Sequence, residues 1–453
     1  MSNNNSSLDL SAVLDNDLCI GCGACVMADR SLELTLSPTS LLYEPNGLGT
    51  PAAAAVCPAI QVDFEDLHQK VFPGQEVTPH GVVERVVLAQ STTEKRNLRA
   101  SSGGLIKELI HHLLAQDDID GVLALDEAQG LDYHVRLITH PDEIDQLPGS
   151  IYHAVPLDGT LRLLEENKGR FVIVGIPCQL EGVYNYIFNQ APELAERIAF
   201  TIGLLCGWLY SHHAVEAISK FKKIDASAIT QISYRGGGPI GKLQISTEEK
   251  TTRIGRRVDF GYQVAFDRSF NAPRCHLCIN HANFLADLVV GDAWLPSTVT
   301  TRTGVSMVTC RTPEASDLID ALSESGAIVV AEATVDELTE SQTHRVTFGD
   351  FAYAYADHLD EIGIFRPKMV GPNRELTDLS SPAEASAFHK ELTRKRKLQK
   401  ERRYRFLWWR KATRELPRHL RRYFSWFFVR VLRVKSFTKR RKEISRDSLS
   451  GFR

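Results

Sequence analysis

Arg170-Phe-Val-Ile-Val-Gly-Ile-Pro-Cys178 is an unbroken apolar run that ends in a proline and a cysteine. Its length and β-branched content read as a strand buried on both faces, the usual state of a parallel strand. Arg197-Ile-Ala-Phe-Thr-Ile-Gly-Leu-Leu-Cys206 repeats the pattern, with a helical stretch between the two. Working outward, VERVVLAQ (83–90), GVLAL (121–125), ADLVVGD (286–292) and VSMVTCR (305–311) are further candidate strands. GLIKELIHHLL (104–114) sets Leu105, Ile106, Leu109, Ile110 and Leu113 along one helical face, and a second helix is expected near 160–168. Strand–helix alternation with apolar strands indicates an α/β body. If both runs lie in one parallel sheet, Cys178 and Cys206 sit at its carboxyl edge, where such sheets place their sites.

At 453 residues and 43% apolar content the chain is long enough for two or three domains with real cores. No secretory signal and no 18-residue apolar span is visible, so a protein that is neither secreted nor membrane-spanning is expected. Nine cysteines in that setting point to metal ligation in a reducing compartment, not to disulfides. The net charge of −3 conceals a split. Residues 390–453 hold 24 of the 53 Lys+Arg and five of the 56 Asp+Glu, leaving a tail of +19 on a body of −22.

Cys19-x2-Cys22-x2-Cys25, followed far downstream by Cys57-Pro58, is the sharpest chemical motif. Three thiolates at that spacing wrap one corner of a [4Fe–4S] cubane, and a remote Cys-Pro closes it. Gly21 and Gly23 let backbone amides approach the sulfurs. Structural zinc is the alternative, although zinc sites rarely need a C-x2-C-x2-C triplet. Cys178, Cys206 and the pair Cys275-His-Leu-Cys278 are four more thiols on three segments. They are either a second four-ligand site or, taken singly, small buried hydrophobes. Cys310 lies inside a strand without a partner motif and reads as core.

Arg99-Ala-Ser-Ser-Gly-Gly104 precedes the amphipathic helix. Ser101 or Ser102 could cap it, and a helix start beside an Arg suits a phosphate; an ordinary loop with a cap has the same sequence. Tyr234-Arg-Gly-Gly-Gly-Pro-Ile-Gly-Lys242 reads either as a tight turn or as a phosphate or isoalloxazine contact. No G-x-G-x-x-G follows a strand, so a Rossmann nicotinamide site is not indicated. In the tail, KELTRKRKLQKERRYRFLWWRKATRELPRHLRRYFSWFFVRVLRVKSFTKRRK (390–442) interleaves Arg clusters with Trp408, Trp409 and Trp426. It suits helices divided at Pro417 and lying on an anionic membrane. Nucleic-acid binding and docking on the chain's own acidic body are the competing readings.

These motifs occur together and in order in one family. CIGCGAC…CP (19–58), RASSGG (99–104), GIPCQLEGV (175–183), CGW (206–208), YRGGGPIGK (234–242), CHLCINHANFLADLVVGDAW (275–294) and TGVSMVTCRT (303–312) resemble the coenzyme F420 hydrogenase/dehydrogenase beta-subunit family. That family takes in F420-reducing hydrogenase beta subunits and 7-hydroxymethyl chlorophyll a reductase. The resemblance spans roughly residues 15–345. It implies FAD and up to two [4Fe–4S] clusters, the first on Cys19, Cys22, Cys25 and Cys57. It implies a second cluster on Cys178, Cys206, Cys275 and Cys278. It further implies flavin contact by Ser101, Ser102, Gly103 and Gly104, with Lys242 and Asp292, to which the reading of the turn as a phosphate site adds Arg99.

The expected architecture is an α/β body with a small N-terminal ferredoxin-like [4Fe–4S] segment and a helical basic C-terminal tail. The expected segments are a disordered start (1–17), the cluster segment (18–75), the two parts of the flavin domain (80–170 and 171–345), a connecting region (346–389) and the tail (390–453). The expected function is an FAD- and iron–sulfur-dependent oxidoreductase. It would pass electrons between F420H2 or ferredoxin and a substrate, with F420 itself a candidate substrate and a membrane-held substrate suggested by the tail. A cytoplasmic protein, peripheral on the inner face of the membrane and without nucleic acid, is expected. The alternative is an electron-transfer adaptor subunit with no substrate of its own.

Overall fold

The computed structural model describes residues 9–236, 241–298, 303–371 and 382–415. Its centre is an eight-stranded sheet. We number the strands β1 (Arg85–Ser91), β2 (Gly121–Gln129), β3 (Asp132–Ile138), β4 (Phe171–Gly175), β5 (Ile198–Leu204), β6 (Leu288–Asp292), β7 (Ser306–Cys310) and β8 (Ile328–Ala333). Their spatial order is β8-β1-β7-β6-β5-β4-β2-β3. The four central strands β2, β4, β5 and β6 are mutually parallel. The flanking pairs β2–β3, β6–β7, β7–β1 and β1–β8 are antiparallel. Because β7 lies between β6 and β1 and opposes both, β1 runs in the direction of the central four.

Side chains alternate across the sheet, as a strand's two-residue period requires. Phe171 and Ile173 enter one core with Leu161, Leu180 and Val183, from helices Gly159–Glu166 and Pro177–Gln190. Val172 enters the opposite core with Leu105, Leu109 and Ile319, from helices Leu105–Leu113 and Pro313–Glu324. Both faces are covered, which is why the central strands carry no polar alternation. The apolar run from 170 stops earlier than its composition suggests. Pro177 opens a helix, so Cys178 lies on that helix's first turn, beyond the strand end.

Several expected boundaries change. Residues 9–17 are ordered: helix Ser11–Asp15 buries Val13, and Leu10 is buried beside it. The cluster segment is built into the body. It holds a hairpin, Leu34–Leu36 with Tyr43–Pro45. Its strand Gln61–Asp63 pairs in parallel with Lys368–Val370. The Pro/Gly stretch at 72–81 is tied down, because the buried Arg311 guanidinium donates to the carbonyls of His80, Val82 and Ala282. The connecting region is helix Val335–Glu361, kinked at Gln342, then the strand Lys368–Val370 and the start of helix Pro382–Lys400.

The first part of the basic tail is docked on acidic positions of the body. Arg396 and Lys400 pair with Asp17 (2.9 and 2.6 Å), Lys395 with Asp267 (2.8 Å) and Arg402 with Glu216 (3.1 Å). Tyr404 is buried and its hydroxyl meets Glu216 (2.5 Å) and His213 (2.7 Å). The break between helices falls at Glu401–Arg403, ahead of helix Tyr404–Glu415. Pro417, Trp426 and the remaining tail lie outside the described residues. Among the described residues no helix is long and apolar enough to cross a membrane.

Candidate functional site

The first thiol set forms at a corner that the backbone shapes locally. Gly23 has φ +82° and is the N-cap of helix Ala24–Ala28; a Cβ there would lie 2.3 Å from Asp158. Only glycine meets both conditions. A strap from 152 to 158 holds the corner, with Leu157 N–H donating to Gly21 O (2.8 Å). Gly21 N–H donates to Cys19 Sγ (3.4 Å). Cys57 arrives after helix Pro51–Ala55, which is capped by Thr50.

Burial pushes the thiols of this set up, Cys19 to about 12 and Cys57 to about 11, with Cys22 and Cys25 higher. For Cys25 the next causes are the charges of Cys19, Cys22 and Cys57, which places all four together.

The second set is assembled by topology. Cys178 follows β4 and Cys206 follows β5, two neighbouring parallel strands, so both thiols lie at the carboxyl edge. Cys275 and Cys278 come from the single 3-10 turn Pro273–Leu277 and its C-cap. Leu209 N–H donates to Cys275 Sγ (3.3 Å). Burial pushes Cys178 far up; Glu181 and then Cys206, Cys275 and Cys278 push it further. Cys275 is raised to about 11, again chiefly by burial. The four expected ligands thus lie in one neighbourhood, near enough for their charges to act on Cys178. Cys310 does not join them; it is buried inside β7.

Helix Pro177–Gln190 joins the two sets. Cys178 is on its first turn, and Gly182 faces the first set so closely that a Cβ would stand 2.7 Å from Cys22 Sγ. Residues 178 and 182 are one turn apart, a rise of ~6 Å. Cys22 and Cys178 both sense the carboxylate of Glu181, between these positions. The docked tail helix closes the outside. Its Leu392 and Ala385 share an apolar cluster with Cys25 and Cys57, and its Phe388 packs edge-on against His276 (5.1 Å).

The glycine-rich turn lies at the same sheet edge, after β1, but it is used differently from expectation. Gly104 (φ +76°) is the helix N-cap, and neither Ser101 nor Ser102 caps the helix. Gly103 N–H donates to Ser306 Oγ (3.0 Å), and Ser102 Oγ meets the same hydroxyl (2.9 Å). A Cβ on Gly103 would lie 2.5 Å from Ala89 O, so this glycine fits the turn against the sheet. Arg99 is exposed and Ser101 half-buried. Ser306 faces Asp292 across β6–β7. Asp292 carries an ion pair to buried Arg235 (2.6 Å), whose guanidinium lies over Trp294 (5.6 Å). Gln342 Nε2 donates to Asp292 O (2.7 Å), while buried Gln342 Oε1 has no partner among the described residues. Lys242 is exposed at the start of a strand in a separate three-stranded sheet, and 237–240 lie outside the described residues.

Residues 86–162 match the family described as the N-terminal part of the coenzyme F420 hydrogenase/dehydrogenase beta subunit, and 168–336 match the family of its C-terminal part. The chain belongs to this family. One subunit of the F(420)H(2) dehydrogenase of Methanosarcina mazei is 21% identical over 304 residues, covering 63% of this chain and 79% of that one. The beta subunit of the coenzyme F420 hydrogenase of Methanosarcina barkeri is 23% identical over 228 residues, 48% of this chain and 75% of that one. A chain of the F420-reducing [NiFe] hydrogenase complex from M. barkeri superposes with TM-score 0.50 at 18% identity, covering 66% of this chain and all of that chain. The α/β body thus has the fold of an F420 hydrogenase/dehydrogenase beta subunit.

As the donor set of such a beta subunit, the eight thiols are chemically consistent with iron–sulfur clusters. With their ionisation opposed by desolvation and by one another, these groups are neutral thiols at neutral pH, and a bound metal would deprotonate them into ligands. Among the described residues no three His, Cys, Asp or Glu side chains converge tightly enough for one metal ion. Amide-to-sulfur hydrogen bonds occur at both sets. For a flavin the fit rests on the unsatisfied Gln342 Oε1 beside Asp292, since the Gly103 amide is already engaged.

The motif reading passed over three residues: Glu181, Arg274 and Asn280. Glu181 and Arg274 form a buried ion pair, to which Asn280 adds a hydrogen bond. Arg274 next to Cys275, a fixed charge beside a candidate ligand, was the available signal.

Proposed function

We propose that the chain is an iron–sulfur flavoprotein oxidoreductase, passing electrons between F420H2 or ferredoxin and a second substrate through FAD and two [4Fe–4S] clusters. The observation that carries this reading is the placement of two four-thiol sets across one turn of helix 177–190. Sites that close suit electron passage and have no evident use as independent structural metals. In this reading Cys19, Cys22, Cys25 and Cys57 hold one cluster, and Cys178, Cys206, Cys275 and Cys278 hold the other. FAD would lie along the same sheet edge, near Arg99, Ser101, Ser102, Gly104, Asp292 and Gln342, with Lys242 a further candidate contact. The flavin would exchange a hydride with a carrier and release electrons singly. Ser306 holds the Ser102–Gly103 turn, Asp292 fixes the Arg235 guanidinium, and helix 382–400 covers Cys25 and Cys57.

A second reading is an electron-transfer subunit of a larger redox complex, favoured by the similarity to a chain of the hydrogenase complex. The remaining basic, aromatic stretch (416–453), together with Trp408 still 37% exposed, further supports peripheral attachment to an anionic membrane.

Anaerobically purified chain should contain about eight iron and eight sulfide per FAD. Mixed with F420H2, it should generate oxidised F420 and reduced clusters without any partner. Protein lacking flavin and iron would overturn the reading. Clusters that accept electrons only from a partner protein would favour the subunit reading. Sedimentation with anionic but not neutral vesicles, lost on deleting 416–453, tests the membrane attachment.

A further inference from the structure

Between the two thiol sets lies a charge pair. The Glu181 side chain is 0% and that of Arg274 3% exposed, and they meet at 3.2 Å. Asn280 Nδ2 donates to Glu181 Oε1 (3.0 Å), and its own Oδ1 accepts from Phe284 N–H (2.7 Å). The guanidinium also makes long contacts to Pro58 O (3.5 Å) and Leu277 O (3.4 Å). Pro58 follows Cys57, Leu277 lies between Cys275 and Cys278, and Glu181 is on the same first turns as Cys178. One side chain therefore touches three thiol-bearing segments drawn from both sets.

Stability does not account for such a pair, because replacing buried ion pairs by apolar residues is often neutral or favourable. Position does. A fixed positive charge in a dry interior acts strongly on any negative charge added nearby, and here both thiol sets are nearby. Cys57 of the first set and Cys275 and Cys278 of the second each sense Arg274. Cys22 and Cys178 sense Glu181.

We propose that Arg274, held by Glu181 and Asn280, is a positioning residue common to both cluster sites: it pins the Cys57, Cys178 and Cys275–Cys278 segments together and makes the two reduction potentials move together. This rests on the reading that both thiol sets hold clusters.

The test is an anaerobic redox titration followed by EPR, with iron counted in every variant. Arg274→Gln should lower both potentials, since it removes the cation that stabilises an added electron. Glu181→Gln should raise both, and the double variant should bring both back toward wild type. A shift confined to one cluster, or shifts of the same sign from the two opposite charge changes, would overturn the proposal. Should Arg274→Gln fail to fold, Arg274→Lys and Glu181→Gln carry the test. Lys keeps the charge and should leave both potentials near wild type, whereas Glu181→Gln should still raise both. Iron loss without paired shifts would mean a purely structural role. A wild-type chain with a single cluster would overturn the two-cluster reading itself; two clusters that respond independently would overturn the coupling alone.

Discussion

The two thiol sets have the same composition and opposite origins. Cys19, Cys22 and Cys25 are gathered by one glycine-shaped corner, so their grouping follows from local spacing. Cys178, Cys206 and Cys275/Cys278 are gathered by strand order: β4 and β5 must be parallel neighbours, and the 273–277 turn must reach their carboxyl edge. A local set tolerates changes elsewhere in the fold; a topological set depends on the sheet. Helix 177–190 makes the two interdependent, since it carries Cys178 and leaves room for Cys22.

The largest effect expected is on iron. Cys22→Ser and Cys278→Ser should each reduce the content from about eight to about four per chain. Loss of all iron from either variant would break the comparison by showing that neither set forms alone.

Acid is the next probe. His153 belongs to the strap that supports the first set. Leu131 O can only accept, so Nε2 donates to it (2.9 Å) and Nδ1 accepts from Tyr234 (2.6 Å). Burial, then the charge of His212, lowers His153 to about 3 from 6.5. The unfolded chain takes up this proton near pH 6.5, while the folded chain resists it down to about 3. Stability is therefore complete above pH 6.5 and falls as pH drops toward 3, by up to ~1.4 kcal/mol per pH unit. Melting temperatures across this range should show the fall, and first-set iron should leave first. A flat profile would contradict the assignment.

Gly182→Val should cost about 1–3 kcal/mol by overpacking. It should displace Cys22 and so weaken the first set, although the substitution lies on the helix of the second. Retention of both EPR signals unchanged would show that the sets are independent.

The smallest effect expected is from Tyr404→Phe, about 1–3 kcal/mol or less, by removing the hydroxyl from Glu216 and His213. Because helix 382–400 covers both sets, iron chelation should accelerate equally at each. Faster loss from one set alone would show that the helix protects only that set.

The grouping of Cys19, Cys22 and Cys25 at one corner was legible in the sequence, and so was the core of the sheet. The C-x2-C-x2-C corner and the apolar runs at β4 and β5 each depend on neighbours in the chain. The edge strand β3 was missed because it lacks a continuous apolar run; β8 has one, Ala327–Ala331, which was passed over. The hairpin Leu34–Leu36/Tyr43–Pro45 was masked by Pro and Gly around it. The Gly103 amide read as a ligand donor, because nothing near it in sequence announces Ser306 as its partner. The docking of the tail depends on Asp17, Glu216 and Asp267, acidic residues scattered along the body. The Arg274–Glu181 pair likewise joins residues on two distant segments, which no local pattern reveals.

EPR of the fully reduced, anaerobically prepared chain tests the central claim most directly. Two clusters held across one helical turn should give broadened or split signals from interacting spins, which simplify to one isolated signal in either Cys22→Ser or Cys278→Ser. A single isolated signal in the wild type, or two that do not interact, would contradict the account.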